Sequence, residues 1–326
     1  MEDVARKAGV SLMTVSRAMR SPASVAEATR ARIAQASTEL NYVGSAFAGQ
    51  LSSGRTRLVA VVLPDLRNPA FALALQGLSD ALGNAFELIV ATSHGVPEGE
   101  ARVVRALLGY HPAALVVHGG PHNRETRSLL QRTNVPVVEV GSLVSRPVNL
   151  AVGYSNRAAG RVAGDHLIER GYRTIGFVSQ ARRYNSRSEE RWRGFRQALR
   201  AASIAPRPEL ELEIELGYER GADAMRRLLE REPGLDAVFF NSDGWALGAL
   251  LHCQRAGIAV PGQVALIGFD DQEFSALTVP ALTTIHVPRY AMGLEAGRRL
   301  LAQIAGEPVR GKRVDLGFEL RVRETT

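Results

Sequence analysis

The chain has 326 residues, 45% of them apolar and 22% charged, enough to bury a substantial core in two or three domains. It carries neither a bilayer-spanning apolar run nor an export-signal pattern, so a cytoplasmic protein with no membrane partner is expected, and the single cysteine, Cys253, excludes an intramolecular disulfide and a thiolate metal cluster. The net charge of +7 is almost wholly arginine, and residues 1–57 hold eight basic against four acidic residues, the concentration expected of a segment that touches phosphates.

Residues 3–19 read as two short helices joined by a sharp turn. Val4, Ala5 and Ala8 give the first an apolar face, Gly9 can end it in the left-handed conformation, and Ser11 can cap the second. Val15 and Met19 are expected to point into the core. That leaves Leu12, Met13, Thr14, Ser16 and Arg17 for a DNA groove and its phosphates, the layout of a helix-turn-helix reader. Ser24-Val25-Ala26-Glu27 has the form of a capping box, starting a third amphipathic helix that runs to about Leu40. Residues 41–54, rich in Gly, Ser and Ala, have little to bury and read as a linker.

From Leu58 onward buried strands alternate with amphipathic helices. Strands are predicted at 58–63, 87–91, 114–117 and 135–140, with helices beginning near Pro69, Pro97 and Asn123. The pattern repeats with strands at 174–178, 210–216, 237–240 and 264–269 and helices near 157–170, 188–202, 219–231 and 244–256. Apolar runs of this kind, separated by helices, belong to parallel sheets covered on both faces. The expected fold is α/β: a two-lobed core of two parallel doubly wound sheets behind a small all-α headpiece. The carboxyl ends of such strands bind ligands, so two sheets facing across a cleft enclose a small molecule.

Several motifs then coincide: Asp3-Val4-Ala5, Ala8-Gly9-Val10-Ser11, Thr14-Val15-Ser16-Arg17, Val25, Thr29-Arg30, Leu40-Asn41-Tyr42, Asn241-Ser242-Asp243, Ala246-Leu247-Gly248, Gly268-Phe269-Asp270-Asp271 and Leu282-Thr283-Thr284-Ile285. In this order, over the whole chain, they resemble the lac repressor (LacI/GalR) family of bacterial transcriptional regulators. Within it, Met13-Thr14-Val15-Ser16-Arg17, Cys253-Gln254-Arg255 and Leu316-Gly317-Phe318 are most similar to the gluconate-operon branch.

The resemblance implies a helix-turn-helix headpiece at 1–43, a hinge helix at 44–56 that folds on DNA, and a periplasmic-binding-protein-like core at 57–326 that dimerises and binds an effector. In that core the N-terminal lobe takes 57–156 and 287–314, and the C-terminal lobe 157–286 and 315–326. By motif position Leu12, Met13 and Arg17 read base edges of double-stranded operator DNA, Thr14, Ser16 and Asn41 hold phosphates, and Leu51 enters the minor groove. The chain departs from the family's pattern at its first residues, which lack the usual Thr-Leu or Thr-Ile opening, at Gly44-Ser45, which replaces Pro-Asn, and at Gly49 inside the hinge helix. A hinge mostly disordered off DNA is the expected result. No leucine heptads follow the core as far as Thr326, so a homodimer is expected rather than a tetramer.

For the effector, the resemblance singles out Arg191 as the ligand-gripping arginine and Asp270 as the hydroxyl-accepting carboxylate. Arg191 belongs to the arginine-crowded segment 182–193, which follows a strand and also offers Arg183. Asp65, Asn68, Phe71, Tyr218, Ser242, Asp243 and Trp245 are further candidates on neighbouring strand-end loops, although Trp245 suits a core or dimer position better. Arg187 and Arg193 divide evenly between the ligand and an exposed helix face paired with Glu189 and Glu190. The arginines and the gluconate-branch likeness favour gluconate or a related sugar acid over a neutral sugar or nucleobase.

Enzyme chemistry finds little support. There is no Gly-x-Ser-x-Gly elbow, Walker loop or His-Glu-x-x-His, the seven histidines lack ligand spacing, and the first strand leads into Pro64-Asp65-Leu66-Arg67-Asn68-Pro69 instead of a dinucleotide fingerprint. No catalytic residue, metal or cofactor is therefore expected. A solute-binding protein of sugar transport would share the core, but it would leave residues 1–54 unexplained.

Overall fold

The computed structural model describes residues 1–42 and 56–326. Most of the hinge stretch, including Gly49 and the expected minor-groove residue Leu51, lies outside the described residues. The headpiece is three helices, α1 (Glu2–Ala8), α2 (Leu12–Arg20) and α3 (Glu27–Glu39). Gly9 ends α1 with φ 64°, and the Ser11 side chain accepts from the Thr14 amide at 3.1 Å to cap α2, as the sequence predicts. Val4, Ala5, Ala8, Val15, Ile33 and Ala36 form the small core, and Lys7 pairs with Glu39 at 2.7 Å to tie α1 to α3.

Two expectations fail here. Met19 is exposed, and Ala18, one turn from Val15, packs inward in its place. The capping box does not form: Pro22 starts a short 3-10 turn, the Ser24 hydroxyl donates back to the Ser21 carbonyl at 2.7 Å, and Ala26 precedes α3 with no side-chain cap.

The core begins with β1 (Leu58–Leu63), α4 (Ala70–Leu82), β2 (Glu87–Thr92), α5 (Pro97–Leu108), β3 (Ala114–His118), α6 (Arg124–Arg132), β4 (Val137–Ser142) and β5 (Leu150–Tyr154). It continues through α7 (Asn156–Glu169), β6 (Ile175–Ser179), α8 (Ser186–Ala201), β7 (Glu211–Glu213), α9 (Tyr218–Arg231), β8 (Ala237–Phe240), α10 (Asp243–Ala256) and β9 (Ala265–Asp270). The last elements are β10 (Thr283–His286), α11 (Arg289–Ile304), β11 (Arg313–Asp315) and β12 (Glu319–Arg321).

The first sheet, ordered β11-β5-β4-β3-β1-β2, is parallel throughout. The second, β12-β10-β9-β8-β6-β7, is parallel except for β12, which runs antiparallel to β10 with Thr284 opposite Arg321. The chain therefore passes between sheets three times, after β5, between β10 and α11, and between β11 and β12. Strands β1, β3 and β8 are apolar along nearly their whole length because helices cover both faces, and this is why periodicity could locate them.

One helix contact within the second lobe places the arginine-rich helix α8. Where α7 crosses α8, a Cβ on Gly160 would stand 2.0 Å from the Arg191 carbonyl oxygen, and one on Gly194 would stand 1.9 Å from that of Arg157. Only glycine lets the two backbones approach this closely. The crossing fixes the position of Arg191 on α8 relative to α7.

Candidate functional site

Between the carboxyl ends of the two sheets lies a cavity of about 320 Å³. Its wall includes Asp65, Asn68 and Phe71 from the turn after β1 and the start of α4, Gln180 after β6, and Asn185, Arg187, Ser188 and Arg191 from α8 and its cap. Asn241 and Ser242 after β8, Trp245 of α10, Asp270 at the end of β9 and Arg289 at the start of α11 also line it, as do the charged Arg67 and Glu215. Loops at strand ends position each side chain, and rigid strands position the loops.

Arg191 is held by neutral acceptors. Its Nε donates to Asn156 Oδ1 at 2.9 Å and its Nη1 to Asn241 Oδ1 at 2.7 Å and the Asn241 carbonyl at 3.1 Å, while the guanidinium lies 3.7 Å from the centroid of the Phe269 ring. Asn241 in turn donates to Ser188 Oγ at 2.9 Å, so the arginine's orientation is fixed from behind. Burial lowers its pKa, opposed by Tyr154 and Asp270.

Asp270 closes an ion pair with the Arg289 Nη2 and receives the Asn68 amide at 3.5 Å. Burial works against the Arg289 charge, yet Asp270 and Tyr154 more than restore it. Asp270 and Asp271 take φ values of +111° and +54°, strained for residues other than glycine, and Asp271 is pinned by Arg323 at 2.7 Å and His286 at 3.0 Å.

Of the residues expected here from sequence, Asp65, Asn68, Phe71, Arg191, Ser242 and Asp270 line the cavity. Asp65 is engaged by Arg67 through its backbone amide at 2.6 Å and its guanidinium at 2.8 Å, which hold the carboxylate below its usual range. Three expectations are corrected.

Asp243 does not reach the cavity. It is fully buried beneath it, accepting from Thr284 Oγ1, Ser275 Oγ and the Gln272 amide, and burial lifts its pKa to about 7 against those bonds. Arg183 is exposed and lines a separate open groove with Arg157, Glu189 and Arg193. Tyr218 is half-exposed beside the rim, its ring edge-on to Phe274 at 6.5 Å. Trp245 is buried, its indole N–H on the Glu215 carbonyl.

The two arginines left open by the sequence separate cleanly. Arg193 lies on the exposed face, pairing with Glu189 at 2.8 Å and Glu190 at 3.1 Å. Arg187 turns into the cleft, where its Nη1 meets the His118 ring, 3.0 Å from Nε2. The sequence does not single out Arg289 or His118 for the cleft, and it leaves Arg187 undecided. Periodicity cannot tell whether the first turn of a helix faces a cleft or solvent, and in sequence His118 is only a solitary histidine before two glycines.

The headpiece offers a second surface. Leu12 and Met13 are exposed, Met13 by 68%, Arg17 is exposed, and Thr14 and Ser16 are half-buried, with the Thr14 hydroxyl 2.9 Å from that of Ser11. Asn41 is exposed just past α3, in left-handed conformation with φ 47°. Leu12, Met13, Thr14, Ser16 and Arg17 all belong to α2, whose Val15 is buried in the headpiece core.

Comparison with known proteins agrees with both halves. Residues 1–45 match the bacterial regulatory proteins of the lacI family, and residues 164–326 match a periplasmic binding protein-like domain. The chain is 36% identical to the HTH-type transcriptional regulator GntR of Pseudomonas aeruginosa over 100% of its own length and 95% of the relative's. It is 33% identical to GntR of Escherichia coli K12, covering 98% of this chain and 96% of that one. The crystal structure of a LacI-family transcriptional regulator from Silicibacter pomeroyi superposes with a TM-score of 0.92 at 32% identity, over 99% and 98% of the two chains.

Proposed function

The chain belongs to the lacI family of bacterial regulatory proteins and is a DNA-binding transcriptional regulator; from that premise we propose that it represses a sugar or sugar-acid utilisation operon under the control of an effector bound in the cleft of its core. The observation that carries this reading is the joining, in one chain, of an exposed recognition surface on α2 to an inter-lobe cleft rich in guanidinium groups. The proposed division is a headpiece at 1–43, a linker at 44–56 and the two-lobed core at 57–326.

At the operator, Arg17 donates to a guanine edge, Leu12 and Met13 touch bases through apolar contact, Thr14, Ser16 and Asn41 hold phosphates, and Leu51 wedges the minor groove. In the cleft, Arg191 and Asp270 grip the effector with Asp65, Asn68, Phe71 and Ser242 around it. A sugar acid such as gluconate suits the cavity because carboxylates and vicinal hydroxyls both pair with guanidinium groups.

Control requires an effector that binds the two lobe arrangements unequally, since equal affinity shifts nothing. The lobes already touch across the cleft through Asn68 and Asp270, and through Ser186 Oγ on the Gly120 carbonyl at 2.9 Å. A ligand that strengthens these contacts rotates one lobe on the other and alters the spacing of paired headpieces in a cytoplasmic homodimer. Leu277 and Val279, 79% and 78% exposed, support burial against a second copy.

The test selects operator duplexes with the purified protein and repeats the binding with Arg17→Ala. Loss of preference at one base pair, worth about 1–3 kcal/mol, is expected, and an unchanged preference refutes the base contact.

A further inference from the structure

We propose that Arg187 and His118 form an acid-selecting subsite that spans the two lobes: Arg187, carried by α8 and positioned by the His118 imidazole at the end of β3, takes the carboxylate of the effector. This rests on the cleft being the effector site, and it names the chemical class that the cleft selects.

The balance of charge points to an anion. Four arginines, Arg67, Arg187, Arg191 and Arg289, line the cavity against three acids, Asp65, Glu215 and Asp270; Asp65 pairs with Arg67, on which Glu215 also acts, while Arg187, Arg191 and Arg289 stand close enough to perturb one another. Asp270 is already taken by Arg289. Among the described residues no acid lies within ion-pairing distance of either Arg187 or Arg191, and their donors go to amide oxygens, a backbone carbonyl and an imidazole. A guanidinium that meets only neutral acceptors and is partly shielded from solvent in the cleft loses hydration without gaining a counter-charge, and burial, then Arg191 and Arg289, push the Arg187 pKa down to about 10. An anion entering beside it reverses that penalty, whereas a neutral sugar does not.

His118 is suited to position such an arginine. Burial first, and then the charges of Arg187, Arg289 and Arg191, hold its pKa well below the ordinary imidazole value, so the ring accepts a hydrogen bond without adding a fourth positive charge. Phe71 packs edge-on against it with centroids 4.8 Å apart, and the Arg187 guanidinium lies 5.8 Å from the Phe71 centroid.

The contact also crosses the cleft. His118 ends a strand of the first sheet, and Arg187 begins a helix packed on the second, one residue after the Ser186 that reaches the Gly120 carbonyl. Arg187 is correctly placed only when the lobes are together. A carboxylate that pairs with it therefore favours the closed arrangement, and Arg191 and Asp270 remain for hydroxyl groups.

Titration calorimetry with gluconate, glucitol and glucose tests this. Gluconate and glucitol differ only in the carboxylate, so the ratio of their affinities isolates the subsite. Wild-type protein is expected to prefer gluconate, and Arg187→Gln to weaken gluconate about 100-fold, the size expected on removing one partner of a buried charge pair, while changing glucitol less than about 3-fold. His118→Leu should lower the gluconate-to-glucitol ratio about 10-fold and His118→Gln, which keeps an acceptor, should restore it, with both variants melting near the wild type.

An unchanged ratio in Arg187→Gln, or equal losses for both ligands, overturns the subsite. Wild-type binding of glucitol or glucose in preference to gluconate overturns acid selection while leaving the regulator reading intact. Failure to bind any of the three overturns the sugar-acid cleft, and operator binding then remains the separate test of the headpiece.

Discussion

Gly160→Ala is the substitution that links the packing of the core most directly to its ligand site. The new methyl would stand 2.0 Å from the Arg191 carbonyl oxygen, and since real Cβ atoms essentially never approach within 3.0 Å, α7 and α8 must part by about 1 Å. Asn156 begins α7 and Arg191 belongs to α8, so the same movement stretches their 2.9 Å hydrogen bond to about 3.9 Å and breaks it. Overpacking costs about 1–3 kcal/mol and a buried donor left unsatisfied about 1–3 kcal/mol more, a total near 3 kcal/mol.

Calorimetric melting should fall by about 5 °C or more, and gluconate affinity by about 10-fold because Arg191 no longer points correctly. Gly234→Ala is the control. Its methyl meets only the end of the Glu232 side chain at 3.1 Å and should change stability by less than about 0.5 kcal/mol. A Gly160→Ala protein that melts with the wild type and binds gluconate as tightly refutes the claim that this crossing sets the site.

Two further outcomes depend on local geometry. Burial lowers the His122 pKa, but hydrogen bonds and charge from Glu100 at 2.9 Å and Glu139 at 3.3 Å lift it to about 9. A folded-state value above the unfolded one near 6.5 gives stability that is full below pH 6.5 and is lost as pH rises through 9, up to about 3 kcal/mol. Urea midpoints should fall across that window for the wild type, and His122→Gln should remove the slope; an identical slope in the variant contradicts the assignment. Ser11→Ala removes the cap of α2 and should destabilise the headpiece by about 1 kcal/mol and weaken operator binding several-fold in fluorescence anisotropy, with gluconate affinity in the core unaffected.

Much of the fold could be read from the residues because covered parallel strands are apolar throughout: the strand expected at 237–240 is observed as Ala237–Phe240, and that at 58–63 as Leu58–Leu63. Strands that depend on a partner for their identity escaped. Leu150–Tyr154 is a short run that follows β4 with no helix between, unlike the alternation around it, and the three-residue strands Arg313–Asp315 and Glu319–Arg321 alternate too briefly to register. The strand expected at 210–216 shortens to Glu211–Glu213 for the same reason at its sheet edge.

Site residues divide in the same way. Arg191 and Asp270 are marked by motif and do line the cavity, whereas Asp243, also an aspartate after a strand, directs its oxygens to Thr284, Ser275 and Gln272. That difference is set by which elements pack behind the residue, and no local spacing encodes it. Arg187 illustrates the converse, a residue indistinguishable in sequence from Arg193 until α8 is set against β3 and its His118.

Whether cleft and headpiece communicate is decided by one titration: operator-duplex binding by the purified protein, monitored by anisotropy, with increasing gluconate. A shift in operator affinity of at least about 5-fold, absent in Arg191→Ala and reciprocated by a change in gluconate affinity when operator is present, is the predicted result. Gluconate that saturates the core while the operator curve stays in place, or a protein that binds no duplex in either condition, contradicts the account.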